Sequence, residues 1–259
     1  MLRATTTPGG PRMLARLRRA LAEDLFVLHF QPIVALQDHS TGHHEALLRL
    51  ADDPAGTLLG PAGFLPSAER GGLIGEIDRW VIEKVAALLG GGMWASLAGG
   101  GIAVNVSALS ASDPALLADI ARLLERYEVD PSLLVIEITE TAAIPDTAAA
   151  RRFCAGVLEL GCEVALDDFG AGYGGFQYLR ELPFSYLKID GEFIRRLPRS
   201  RVDQLIVQAL SGLADGMGCR TVAEWVGDAQ TVSLLRSYGI DFAQGFELGR
   251  PRALLAAAA

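Results

Sequence analysis

The sequence predicts an α/β fold, a TIM-like (β/α)8 barrel with the first strand antiparallel to the rest. Three observations carry this. The chain has 259 residues, and one such barrel takes about 250. Apolar, β-branched runs alternate with helical patterns, the order of a parallel sheet with crossover helices. The first two runs are joined only by "QDHSTGH", too short for a crossover helix, so they form an antiparallel hairpin.

The elements follow in order. "RMLARLRRALAEDL" reads as an amphipathic helix packing on the domain. The N-terminus carries Arg3, Arg12, Arg16, Arg18 and Arg19 without an apolar segment, so it is not a secretory signal. Residues 1–19 are taken as an N-terminal extension and 20–259 as the barrel. Strands are expected at 26–35, 44–50, 102–107, 134–139, 162–167, 186–189, 221–224 and 242–246. Helices are expected at 75–89, 113–127, 147–160, 200–216 and 228–237, the last with Asp228 as N-cap and Gly239 past its end. The glycine-rich "LLGGGMWASLAGGGI" reads as a mobile loop before the third strand.

Composition narrows the function. A net charge of -8 argues against a nucleic acid polymer as partner, which needs a basic footprint. Cys154, Cys162 and Cys219 form neither a metal-type pair nor a disulfide framework. A reducing compartment, the cytoplasm, is expected. No apolar run approaches the roughly 20 residues of a membrane span.

Polar residues fall at definite places in the apolar runs. "IAVNVS" supplies Asn105, "LVIEITE" Glu137 and Glu140, and "ALDDF" Asp167 and Asp168. "YLKID" supplies Lys188 and Asp190, "TVAEWV" Glu224, and "FAQGF" Gln244. In such a barrel the C-terminal strand ends share one rim, where the active site lies. Any one of these could be a satisfied core ion pair; six strands together argue for a site. In "HEALLRL", Glu45, Leu47 and Arg49 share one strand face and Ala46, Leu48 and Leu50 the other. Glu45 and Arg49 could simply pair, or serve as a metal ligand beside a phosphate-binding guanidinium.

The candidate ligands are Glu45, Asn105, Glu137, Asp167 and Asp168. All offer oxygen, and none of His29, His39, His43 and His44 joins them. Oxygen-only ligation selects Mg²⁺ or Mn²⁺. Crowded carboxylates repel unless cations neutralise them. Asp167 and Asp168 could bridge two ions about 3.5–4 Å apart, the arrangement used for phosphodiester cleavage. Capping of the following turn would explain one aspartate, not both.

The motifs resemble the EAL-domain cyclic di-GMP phosphodiesterase family. "FQPIV", "EALLR", "VNVS", "EITE", "DDFGAGYGGFQYLRELPFSYLKID", "AEWV" and "QGFELGRP" stand in that family's order from about residue 20 to 252. The resemblance implies a barrel with a reversed first strand and hydrolysis of cyclic di-GMP to linear pGpG with two Mg²⁺ or Mn²⁺ ions. It implies that Glu45, Asn105, Glu137, Asp167 and Asp168 are metal ligands. Lys188 would assist the attacking water, Glu224 would be a further metal-site glutamate, and Gln244 would orient that site. Arg49 would contact phosphate and Gln31 a guanine. Glu140 would steady the loop after the aspartate pair. That loop, with Tyr173, would link metal binding to dimerisation, so a homodimer is expected.

Two departures stand out. Trp225 and Gly227 replace the glycine and second glutamate of the family's Glu-Gly-Val-Glu, and "GAGYGG" is richer in glycine than usual. Strand alternation turns Trp225 away from Glu224 as a packing residue; if the strand has ended, Trp225 could stack on a guanine. Two other functions compete: a non-catalytic cyclic di-GMP receptor or interaction module on this fold, and a Schiff-base aldolase built on Lys188.

Overall fold

The computed structural model describes residues 10–51, 56–92, 94, 100–139, 144, 146–170 and 175–254. Glu140, Tyr173 and residues 93 and 95–99 of the glycine-rich segment expected to be a mobile loop lie outside these; the ends of that segment are not loop but the last residues of the helix Ile74–Gly90 and the first of the strand Gly101–Val106.

β1 (Phe26–Ala35) and β2 (Thr41–Leu50) form the hairpin, paired antiparallel from Phe26 against Leu50 onward. β3 (Gly101–Val106), β4 (Leu134–Thr139), β5 (Glu163–Phe169), β6 (Tyr186–Ile189), β7 (Arg220–Ala223) and β8 (Phe242–Ala243) follow, each parallel to its predecessor. β8 closes on β1 antiparallel through Val34 and Ala243. The ring therefore has eight strands in sequence order with the first reversed, as predicted. A short β9 (Arg252–Ala253) continues the seam along β1 opposite His29 and Phe30. The expected eighth strand stops at Ala243, and β7 ends before Glu224.

Among the described residues the α-helices are α1 (Pro11–Ala22), α2 (Leu65–Arg70), α3 (Ile74–Gly90), α4 (Ala108–Ala111) and α5 (Pro114–Arg126), then α6 (Thr147–Glu159), α7 (Gly175–Glu181), α8 (Gly191–Ile194), α9 (Arg201–Met217) and α10 (Ala229–Ser237). The five long crossover helices match expectation; the short ones are below the length at which periodicity can be read. Caps explain the starts. Asp113, Asp146, Ser200 and Asp228 each accept a backbone N–H from the first turn of α5, α6, α9 and α10. No helix among the described residues is long and apolar enough to cross a membrane.

Strand alternation builds two cores. Ala46, Leu48 and Leu50 of β2 join the large outer core between strands and helices, with Leu17 and Ala20 of α1 in the same cluster. Ile33, Ala103, Val135, Ala165, Tyr186 and Val222 form a separate inner cluster, with Phe242 packed against it. Two residues further along each strand, toward the rim, stand Gln31, Asn105, Glu137, Asp167, Lys188, Glu224 and Gln244. The apolar plug is thus the floor of a polar pocket.

Candidate active site and metal centre

Lys188 is the hub of the pocket. It is 1% exposed, and its Nζ lies 2.8 Å from Glu137 Oε2, 2.8 Å from Asp167 Oδ1, 2.9 Å from Glu224 Oε1 and 4.0 Å from Glu45 Oε2. Burial opposes its charge, but Asp167, Glu137, Glu224 and Glu45 outweigh this and raise its pKa well above the ordinary lysine value. A Schiff-base lysine needs the neutral amine, so this environment speaks against the aldolase alternative. Burial, reinforced by neighbouring carboxylates, raises Glu137 and Glu224 well above the carboxylate range, against the pull of Lys188.

Glu45 is fixed from both sides. Asn105 Nδ2 donates to its Oε1 at 2.7 Å and Gln244 Nε2 to its Oε2 at 2.6 Å. Gln244 also reaches Gln31 Oε1 at 3.3 Å, and Gln31 Nε2 donates to the Gly249 carbonyl at 3.0 Å. These contacts cross the seam where the last strand meets the first. Arg49 lies on the Glu45 face, its Nη1 donating to the Leu48 carbonyl at 2.8 Å. Burial lowers its pKa and Glu45 partly restores it.

Simple alternation would send Asp167 and Asp168 to opposite faces. Instead their ligand atoms, with one from Glu224, lie within 4.8 Å of one another. The β5–β6 register shifts between Leu166 and Phe169: Leu166 opposes Leu187, whereas Phe169 opposes Ile189. β5 therefore holds one extra residue, a β-bulge, which re-aims a side chain. Asp168 takes φ 54°, in the left-handed region that aspartate tolerates better than most residues. Burial and the Asp167 charge beside it push its carboxyl up to about 6.

The donor set fits divalent cations. Glu45, Glu137, Asp167, Asp168 and Glu224 carry five negative charges when ionised and Lys188 one positive, so −5 + 1 = −4, the charge two divalent ions balance. Glu137 Oε1 is buried without a hydrogen-bond partner among the described residues, an acceptor aimed where a cation would satisfy it. All donors are oxygen, which suits Mg²⁺ or Mn²⁺.

Trp225 departs from the alternation argument because β7 has already ended. Its φ is 55°, a conformation that costs a side-chain-bearing residue roughly 1–2 kcal/mol and explains why a glycine suits this position. The indole is 56% exposed, and the Arg195 guanidinium sits 4.3 Å from its ring centroid. It rests against Gly191, where an added Cβ would meet Trp225 Cδ1 at 2.2 Å. Gly191 and Arg195 were not legible as site neighbours. Their only signal is position, just after the "KID" strand end.

The family model described as EAL domain matches residues 14–251. Cyclic di-GMP phosphodiesterase PdeB of Shewanella oneidensis is 34% identical over 246 residues, covering 94% of this chain and 28% of PdeB. The chain spans about a third of the length of the curated relatives it matches. The structure of the PaMucR phosphodiesterase in complex with c-di-GMP aligns with a TM-score of 0.86 at 36% identity, over 94% of this chain and 98% of that one. The FimX EAL domain from Pseudomonas aeruginosa bound to c-di-GMP aligns with a TM-score of 0.85 at 31% identity, over 94% and 97%.

Proposed function

The chain belongs to the EAL domain family, and from that premise we propose that it is a phosphodiesterase that hydrolyses cyclic di-GMP to linear pGpG. The observation that carries this is the convergence of five carboxylates in one pocket: Glu45 of β2, Glu137 of β4, Asp167 of β5 and Glu224 just past β7 around Lys188, with Asp168 beside Asp167 and Glu224. The names of two similar proteins, the cyclic di-GMP phosphodiesterase PdeB and the PaMucR phosphodiesterase, point the same way.

In this reading Glu45, Asn105, Glu137, Asp167 and Asp168 would hold two Mg²⁺ or Mn²⁺ ions, and Glu224 would be a further ligand beside the aspartates. The chemistry such ions supply is activation of water and neutralisation of phosphate charge. Lys188 assists the water from within hydrogen-bond reach of three of the carboxylates. Water adds at one bridging phosphorus and the 3′ oxygen leaves, which opens the ring and keeps the phosphate on the 5′ side. Arg49 contacts phosphate, Gln31 a guanine, and Gln244 orients Glu45. Glu140 and Tyr173 control the loop after the aspartates.

The catalytic unit is residues 20–259, with 1–19 as an N-terminal extension, working in the cytoplasm. A homodimer is proposed on the strength of exposed apolar side chains on two helices, Phe176 at 71% on α7 and Val202 at 65% on α9. Incubation of the purified chain with cyclic di-GMP and Mn²⁺, followed by product separation, should yield pGpG, and EDTA should prevent it. Tight binding without product would support the receptor reading instead.

A further inference from the structure

Trp225 is the residue that the proposed chemistry leaves without a task. Its backbone adopts φ 55°, which glycine reaches freely and tryptophan does not. Something must therefore hold it there. On one side the Glu224 N–H donates to the Ile189 carbonyl at 3.2 Å, and on the other the Val226 N–H donates to the Gln244 carbonyl at 3.0 Å. The side chain is held as well. Gly191 leaves a slot: a Cβ there would meet Trp225 Cδ1 at 2.2 Å, Cγ at 2.5 Å and Cβ at 2.8 Å. Arg195, four residues on, places its guanidinium 4.3 Å from the ring centroid, a cation–π contact.

The slot belongs to the same rim as the carboxylates. Asp190, just before Gly191, donates its N–H to the Phe169 carbonyl at 3.3 Å, next to Asp168. Its side chain caps α8 by accepting from the Glu192 N–H at 2.7 Å. The indole thus ties the end of β7 to the start of α8, which is tied in turn to the bulged end of β5. Glu224, the residue before the indole, and Asp167 and Asp168, the residues before Phe169, are the three whose ligand atoms converge within 4.8 Å.

We propose that Trp225 is a positioning residue: seated in the Gly191 slot against Arg195, it holds the Glu224 carboxylate beside Asp167 and Asp168. This chain replaces a backbone that needs no side-chain support with one fixed by an indole latch. The latch rests on the metal-centre reading, and its test reads the cation directly.

The test is Mn²⁺ affinity, measured by the EPR signal of free Mn²⁺, alongside melting temperature. Trp225→Gly should weaken the tighter-affected Mn²⁺ site by about tenfold, the usual effect of losing a residue that orients a ligand. Its melting temperature should not fall in step, because glycine adopts this backbone freely. Gly191→Ala should weaken Mn²⁺ similarly although Trp225 is intact, because the new Cβ expels the indole. Trp225→Phe, which keeps a ring in the slot, should stay within about threefold of wild type. Unchanged affinity in Trp225→Gly and Gly191→Ala, or no Mn²⁺ binding to wild type, overturns the proposal. So does loss of melting temperature with affinity intact, which would make the indole a packing residue only. Wild type that binds Mn²⁺ but leaves cyclic di-GMP uncut would refute the phosphodiesterase reading and leave the latch standing.

Discussion

Replacing Lys188 with methionine, similar in shape and without charge, tests how the pocket is balanced when no cation is bound. Nζ reaches three carboxylates at 2.8–2.9 Å and a fourth at 4.0 Å. Removing one partner of a buried ion pair costs about 3–5 kcal/mol. Tripling that figure would overcount, because Glu137 and Glu224, already raised by burial, can take up protons instead of remaining charged. The single-pair range is the better basis, and for a domain of this size it corresponds to roughly 10 °C in melting temperature. Mn²⁺ bound as proposed would supply the missing positive charge, and at 100 times its Kd a ligand adds about 2.7 kcal/mol. The assay is thermal melting of both proteins in EDTA and then in Mn²⁺. Lys188→Met should melt roughly 10 °C below wild type in EDTA and recover more from Mn²⁺ than wild type does. Melting within about 2 °C of wild type in EDTA would refute the idea that Lys188 is the resident counter-ion of these carboxylates.

Other perturbations probe separate parts of the molecule. Asp78 is buried and its Oδ2 accepts from the Ser107 N–H at 3.0 Å and Oγ at 2.7 Å. Asp78→Ala should cost about 1–3 kcal/mol in urea unfolding, whereas Asp78→Asn keeps an acceptor and should cost less. Burial raises the Asp78 pKa, so the native state binds its proton first and stability from this group falls as pH climbs from the ordinary carboxylate range through the raised value. Asp78→Asn should flatten that slope. Burial pushes the Cys154 and Cys162 thiols up to about 12, and since the thiolate is the nucleophile, neither should react with iodoacetamide at pH 8 until the chain is unfolded. Ca²⁺ takes longer and looser coordination than Mg²⁺, so it should support turnover poorly, and full activity in Ca²⁺ alone would count against a two-ion centre.

Much of the pocket was legible because barrel strands obey a period of two. Asn105, Glu137 and Lys188 stand two residues beyond an inner-core position on their strands, Glu45 stands two beyond His43, whose ring packs on Tyr186 and Phe242, and an apolar run with one polar residue announces this. The seam was only half legible. Gln31 was placed by resemblance and Gln244 by the polar residue in "FAQGF", but the contacts of Gln244 with Gln31 and Glu45 join the first and last strands, which sequence order keeps apart. Asp168 defeated alternation: the adjacent aspartates were visible, whereas the bulge that brings both to one side depends on the β5–β6 register. Trp225 failed for a related reason. "TVAEWV" reads as continuous strand, yet β7 stops at Ala223 because the backbone turns left-handed at Trp225. Nor did any pattern mark Lys188 as the centre of three carboxylates, since those come from β4, β5 and the end of β7.

The bulge brings Asp167 and Asp168 to one side of the pocket, where the proposed divalent-cation centre lies, and Asp168→Asn at saturating Mn²⁺ tests that proposal most directly. The substitution keeps shape and removes one carboxylate that the bulge brings to the pocket. Measured as pGpG released from cyclic di-GMP per unit time, turnover should fall by at least about 10²-fold, the scale on which losing a group that acts at the reacting centre is felt, with the melting temperature preserved. Turnover within a few-fold of wild type would contradict the assignment of this pair to the centre.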